Sequence, residues 1–202
     1  YGVASPDYRA SLGGAKQSPV PVMIVGYDTR FMSEEFAHEI AGVFASDGVK
    51  TFLGASDMPT PAVGWAVLSQ KAIGGVMVTA SHNPAQYNGF KWMPFWGGAA
   101  VPTVTDDIER RVELLGSQTI KTMALDRSLR ESWIETVDFR ESYFKQLASL
   151  LDVKAIKKAK LKVGIDAMHG SARLYLRSFL EERLGVEVFA RNEDRAVLLG
   201  GI

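Results

Sequence analysis

Three groups able to take part in group transfer stand in one short stretch of this sequence: the Ser81 hydroxyl, the His82 imidazole and the Lys91 amine. Together they offer a nucleophile, a proton carrier and a cation. The stretch follows an apolar run, Gly74-Gly75-Val76-Met77-Val78, and reads Thr79-Ala80-Ser81-His82-Asn83-Pro84-Ala85-Gln86-Tyr87-Asn88-Gly89-Phe90-Lys91. A plain turn is the competing reading, because serine, asparagine and proline favour turns and Asn88-Gly89 is a favoured turn dipeptide. Neighbouring residues do not make a serine-protease relay, which is assembled in space. No Gly-x-Ser-x-Gly elbow surrounds Ser81 either.

The elements that would hold these groups alternate between strand and helix from Pro21 onward. Val22-Met23-Ile24-Val25 is a continuously apolar run, as in a strand covered on both faces. Ser33 is placed to cap a helix whose buried stripe would be Phe36, Ile40, Val43 and Phe44, with Gly48 as its stop. A second strand is expected over 49–53, a helix over 62–71 after Pro59-Thr60-Pro61, and a third strand over 74–78. The Ser81 stretch lies past the end of that third strand, where open α/β sheets bind ligands. A returning strand over 89–95, a turn at Gly97-Gly98 and a Thr105-capped helix over 106–115 would follow. Residues 116–131 read as a connector, 137–151 as a helix, and the lysine-rich stretch after it as a solvated link. The pattern then restarts with a strand over 161–165, a turn over 166–170, a helix over 171–184 and a strand over 186–190. This predicts a three-layer α/β/α domain with a mixed, largely parallel sheet, plus part of a second similar domain. The expected division is a poorly matched segment over 1–20, a first domain over 21–135, and a connector helix with a partial second domain over 136–202.

Composition bounds the function. Apolar residues make up 47% of the 202, enough for a sizeable core. Lysine plus arginine equals aspartate plus glutamate at 23 each, which argues against a nucleic-acid or membrane-surface role. Without cysteine there are no disulfides or thiolate metal sites. No apolar run reaches transmembrane length and no signal peptide is recognisable at the start, so the expected location is cytoplasmic. His38, His82 and His169 show no metal-ligand spacing.

Thr79-Ala80-Ser81-His82-Asn83-Pro84 followed by Tyr87-Asn88-Gly89-Phe90-Lys91 closely resembles the active-site serine loop of the α-D-phosphohexomutases, the phosphoglucomutase and phosphomannomutase superfamily. Val25-Gly26-Tyr27-Asp28-Thr29-Arg30, Pro59-Thr60-Pro61-Ala62 and Gly164-Ile165-Asp166-Ala167-Met168-His169-Gly170 resemble further segments of that family, in order. The resemblance implies an enzyme that moves phosphate between the 1- and 6-hydroxyls of a hexose through a phosphoserine and a bisphosphorylated sugar. Its substrate would be a hexose phosphate, glucose or mannose, with a glucose 1,6-bisphosphate-type activator. By the same carry-over Ser81 is the phosphoryl carrier, and its phosphate is one ligand of Mg²⁺. Lys91 is a phosphate-binding cation or proton acceptor, His82 positions phosphate or moves a proton, and Arg30 reaches the phosphate from the neighbouring strand. Asp28, Asn83 and Asn88 are expected to hold loop backbone, and His169 to be a turn residue.

The family's aspartate-rich metal loop is absent, and Glu193-Asp194-Arg195 does not replace it. Its sugar-recognition and carboxyl-terminal phosphate loops are absent too, and only Asp7-Tyr8-Arg9-Ala10 echoes the opening segment. The expectation is therefore an amino-terminal fragment, inactive alone, whose partners are the missing carboxyl-terminal domains of its own polypeptide. The alternative is a separate, non-catalytic module that binds sugar phosphates.

Overall fold

A computed structural model describes residues 20–201. The segment around Asp7 and Arg9, and with it nearly all of the poorly matched 1–20, lies outside the described residues. The sheet that carries Ser81 has five strands in the order β4-β3-β1-β2-β5. They are β1 (Val22–Tyr27), β2 (Lys50–Gly54), β3 (Gly74–Val78), β4 (Phe90–Pro94) and β5 (Ile134–Val137). All neighbours run parallel except β3 and β4, which pair antiparallel with Met77 opposite Lys91. The mixed, mostly parallel sheet expected from the sequence is therefore present. Central β1 and β3 are buried almost throughout, which is why they read as continuous apolar runs.

Alternation along β1 divides the core. Met23, Val25 and Tyr27 face helix α1 (Ser33–Ser46), while Ile24 faces helix α2 (Thr60–Ser69) and the second unit. Helix α1 corrects part of the expected stripe: Ile40 and Phe44 do pack, half-buried, against the core. Its buried residues are Ser33, Ala37, Ala41, Gly42 and Ala45, whereas Phe36 is 42% exposed. The helix presents its small residues to the sheet, so ranking positions by side-chain size rotated the predicted face. Ser33 does not cap it. Met32 holds that position in a left-handed conformation, and the Ser33 hydroxyl turns inward to Asp28.

Close approach also governs α2. A Cβ on Gly64 would lie 2.2 Å from the Gly97 carbonyl oxygen, so glycine lets the helix meet the turn after β4. Helix α3 (Pro102–Leu115) starts at Pro102, earlier than the expected Thr105 cap, because proline suits a first helical turn. The expected connector contains α4 (Leu125–Arg130), and Val137 ends a strand where a helix was expected to begin. Helix α5 (Arg140–Ser149) starts only at Arg140. Within the lysine-rich stretch, Asp152 caps a short helix α6 (Val153–Ala159) by accepting from the Ala155 N–H at 3.0 Å.

The second unit contains a two-stranded parallel sheet, β6 (Lys162–Asp166) and β7 (Glu187–Arg191). Between them a single helical turn, α7 (Leu176–Ser178), widens into a π-helical turn over Phe179–Arg183, shorter than the helix expected over 171–184. Phe144, Tyr175 and Phe179 stack edge-on or tilted and join the core on the α2 face, so one apolar cluster spans both units. Among the described residues no helix is long and apolar enough to cross a membrane.

Candidate active site

β1 and β3 end side by side, with the Asp28 N–H donating to the Val78 carbonyl at 3.0 Å. The loop after β3 therefore emerges beside Asp28-Thr29-Arg30. Ser81 is exposed and holds a left-handed backbone, φ 58°. That conformation costs a non-glycine residue about 1–2 kcal/mol, so the surrounding loop must hold it. Several bonds do so. The Ser81 N–H donates to Thr79 Oγ1 at 2.9 Å, the Asn83 N–H to the Ala80 carbonyl at 3.0 Å, and the Thr79 N–H to the Gly89 carbonyl at 2.9 Å.

Arg30 supplies the largest share. Its Nη1 donates to the carbonyls of Pro84 (2.8 Å) and Tyr87 (3.2 Å), and its Nη2 to those of Ser81 (3.0 Å) and Asn83 (2.7 Å). Its Nε donates to Asp28 Oδ2 at 3.2 Å. A guanidinium has five N–H donors, and each has a partner here. Arg30 borders the same cleft as Ser81, but its side chain is 3% exposed and all its donors are engaged by the loop and Asp28. The strand-end position was read correctly, but the guanidinium turns under the loop because the loop's carbonyls converge there.

Ser81, His82 and Lys91 line one open cleft of about 440 Å³. His82 Nδ1 stands 3.4 Å from Ser81 Oγ. Lys91 arrives from β4, whose pairing with β3 sets it across from Met77. The far wall comes from the second unit through Met168, Gly170, Ser171 and Leu199. Asp28 and Asn88 hold loop structure as expected: Asp28 Oδ1 accepts from the Arg30 N–H and the Ser33 hydroxyl, and Asn88 Nδ2 donates to Ser33 Oγ and the Phe31 carbonyl. Asn83 contributes its main chain. His169 lies in the 166–170 turn with φ 56°.

Sequence reasoning missed the contacts that bring the walls together. Thr29 Oγ1 donates to the His169 carbonyl at 2.7 Å. Arg173 forms a bidentate pair with Asp57 at 2.7 and 3.2 Å, and Arg195 pairs with Glu34 at 2.8 Å. Asp57 follows the end of β2, the same end that carries Ser81, and that placement was the available signal.

Residues 10–118 match the model of phosphoglucomutase/phosphomannomutase, alpha/beta/alpha domain I, and residues 141–199 match domain II. The chain belongs to the phosphoglucomutase/phosphomannomutase family. A phosphoglucomutase of Staphylococcus epidermidis is 36% identical over 157 residues, covering 75% of this chain and 28% of its own length. Human phosphoglucomutase-1 is 34% identical over 189 residues, covering 81% and 33%. A Thermus thermophilus structure, assigned as a phosphomannomutase, superposes with a TM-score of 0.78 at 32% identity, covering 100% of this chain and 43% of that one. Parafusin, the Paramecium phosphoglucomutase, shares the fold with a TM-score of 0.74 at 22% identity, covering 91% and 38%. The chain thus spans only about a third of the length of the curated relatives it matches.

In this member of the family, the fifth strand of the first sheet falls between the two matched regions. The serine loop is a poor host for the magnesium ion expected with the family. Ser81 brings one hydroxyl, both Asp28 oxygens are engaged by Arg30 and Ser33, and the described residues contain no cluster of three or more His, Asp or Glu able to hold a metal. These residues do not form a magnesium site by themselves.

Proposed function

We propose that this chain is the serine-bearing part of a phosphohexomutase, of the phosphoglucomutase or phosphomannomutase type, that interconverts hexose 1-phosphate and hexose 6-phosphate. The observation that carries the reading is Ser81 itself. It is an exposed hydroxyl in a tied-down left-handed turn at the rim of a cleft, with His82 and Lys91 on the same lining.

In the proposed cycle Ser81 Oγ carries a phosphoryl group. The Oγ–P bond breaks as a new P–O bond forms to the free sugar hydroxyl, whose proton leaves and whose phosphate makes the sugar a bisphosphate. Ser81 Oγ takes up a proton. The sugar turns over in the cleft. Ser81 Oγ then attacks the other phosphorus and loses its proton, while the departing sugar oxygen gains one. Phosphate and protons balance over the cycle, so a glucose 1,6-bisphosphate-type activator is needed only to load Ser81. His82 is the residue placed to exchange the Oγ proton. Lys91 offsets charge on the transferring group, which spreads over its equatorial oxygens and calls for fixed positive charge. Positioning and electrostatics supply most of the rate in such transfers. Glucose and mannose phosphates are the proposed substrates.

The relatives' length makes turnover a property proposed for a longer polypeptide, and this chain alone is proposed to be inactive. Conversion of glucose 1-phosphate to glucose 6-phosphate, with Mg²⁺ and bisphosphate activator present, tests both statements. The full-length polypeptide should turn over and its Ser81→Ala variant should fall by at least ~10³-fold, the scale of losing a covalent nucleophile. Undiminished turnover in Ser81→Ala would overturn the reading, and robust turnover by the 202-residue chain would overturn the claim that it is inactive alone.

A further inference from the structure

From Ser81 to Tyr87 the chain has neither helix nor strand, yet four of its carbonyls, those of Ser81, Asn83, Pro84 and Tyr87, converge on one point. Converging carbonyl dipoles repel unless donors fill the space between them. Arg30 fills it, from the end of a neighbouring strand, with a side chain almost wholly out of solvent. We propose that Arg30 is the positioning residue of the serine loop: its planar guanidinium stands in for the absent secondary structure and sets the left-handed turn at Ser81.

Arg30 is itself aimed by a short circuit of side chains. Asp28 holds its Nε and main-chain N–H, the Ser33 hydroxyl donates to Asp28 at 2.6 Å, and Asn88 Nδ2 donates to Ser33 Oγ at 2.9 Å. The circuit thus anchors the loop at both ends, Ser81 and Asn88. Arg30 borders the cleft, but Asp28 balances its charge and its donors are all used, so it acts on the reaction through the loop. Lysine cannot substitute. An ammonium is a point charge with three donors and cannot span four carbonyls and a carboxylate in one plane.

The ordering claim stands on geometry alone; its consequence for turnover rests on the reading of Ser81 as phosphoryl carrier. The test is hydrogen exchange on the 202-residue chain, wild type against Arg30→Lys, with β1 and β3 amides as an internal measure of fold. Amides of Ser81, Asn83 and Tyr87 should exchange ~10-fold faster in Arg30→Lys, roughly the loss of one strong charge-assisted bond, while strand amides hold. If Arg30→Lys does not fold, Asn88→Ala loosens the circuit at its far end and should raise loop exchange by about 3-fold. Unchanged loop exchange in whichever variant folds would overturn the proposal. In the full-length polypeptide, Arg30→Lys should lower kcat by roughly 10²-fold with KM for hexose phosphate held, since a small misplacement of a reacting group has that effect. A raised KM with kcat held would instead make Arg30 a substrate ligand and overturn the positioning role. A full-length wild type without mutase activity would sink the functional reading and leave the exchange result to judge the clamp.

Discussion

The near wall of the cleft, the loop bearing Ser81, is tied from within its own unit by Arg30, Asp28, Ser33 and Asn88. The far wall, the 167–171 turn and the tail around Leu199, depends on side chains that cross between units: Thr29 to His169, Asp57 to Arg173 and Glu34 to Arg195. The first arrangement fixes a geometry, since every partner moves with the same sheet. The second sets the distance between walls, and a few separate contacts carry that setting beyond the shared apolar core. The near wall is therefore expected to hold its shape when the far wall is loosened.

The largest break should come at Asp57, which is 2% exposed. Asp57→Ala strands the Arg173 guanidinium and should cost about 3 kcal/mol by chemical denaturation, the low end for a broken buried pair because Arg173 is 16% exposed and can recruit water. Exchange at β6 and β7 should rise more than exchange in the serine loop. Removing Arg173 as well should lose less than the sum of the two single changes, because no unpaired charge remains. Equal loosening of both walls would erase the distinction.

Thr29→Val keeps the shape and removes the donor to the His169 carbonyl, with an expected cost of about 1 kcal/mol. Glu34→Gln should cost under ~1 kcal/mol, and 1 M salt should reproduce most of its effect on the wild type, because the pair with Arg195 is partly exposed and screened. The same wall predicts an alkaline limb. Burial first, and then the Glu34 charge, pushes the Tyr27 hydroxyl from its ordinary 10.0 up to about 12, and burial raises Tyr175 in the same direction. These phenols keep their protons in the fold and lose them more readily when unfolded. Their contribution is therefore complete below pH 10 and should fall as pH rises towards 12. A denaturation series across that window reads it, and Glu34→Gln should shift the Tyr27 midpoint downward.

The sheet was legible wherever burial is continuous: β1, β2 and β3 were placed within a few residues at each end. Four-residue β5 was not, because Ile134-Glu135-Thr136-Val137 is too short to establish a period and Val137 was absorbed into the helix after it. The buried face of α1 was read only in part, through Ile40 and Phe44, because Ala37, Ala41 and Ala45 carry little hydrophobic weight yet allow the closest approach to the sheet. At the site, the placement of Ser81, His82 and Lys91 on one cleft was readable, since all three follow from strand ends and a hairpin return. The clamp was not. Arginine types a charge but not its direction, and only the loop's folded path shows four carbonyls waiting for it. The cross-unit pairs were hidden too: the strand-end position pointed to Asp57, but its partner Arg173 lies far away in sequence and stands in no recognisable pattern.

The central claim is that Ser81 is a relay for a phosphoryl group, and phosphosite mapping with intact mass tests it most directly. The full-length polypeptide, incubated with glucose 1,6-bisphosphate and Mg²⁺, should gain one phosphate, on Ser81, and the label should pass to glucose 1-phosphate when that sugar is added. Phosphate at another residue, none at all, or a label that stays on the protein would contradict the account.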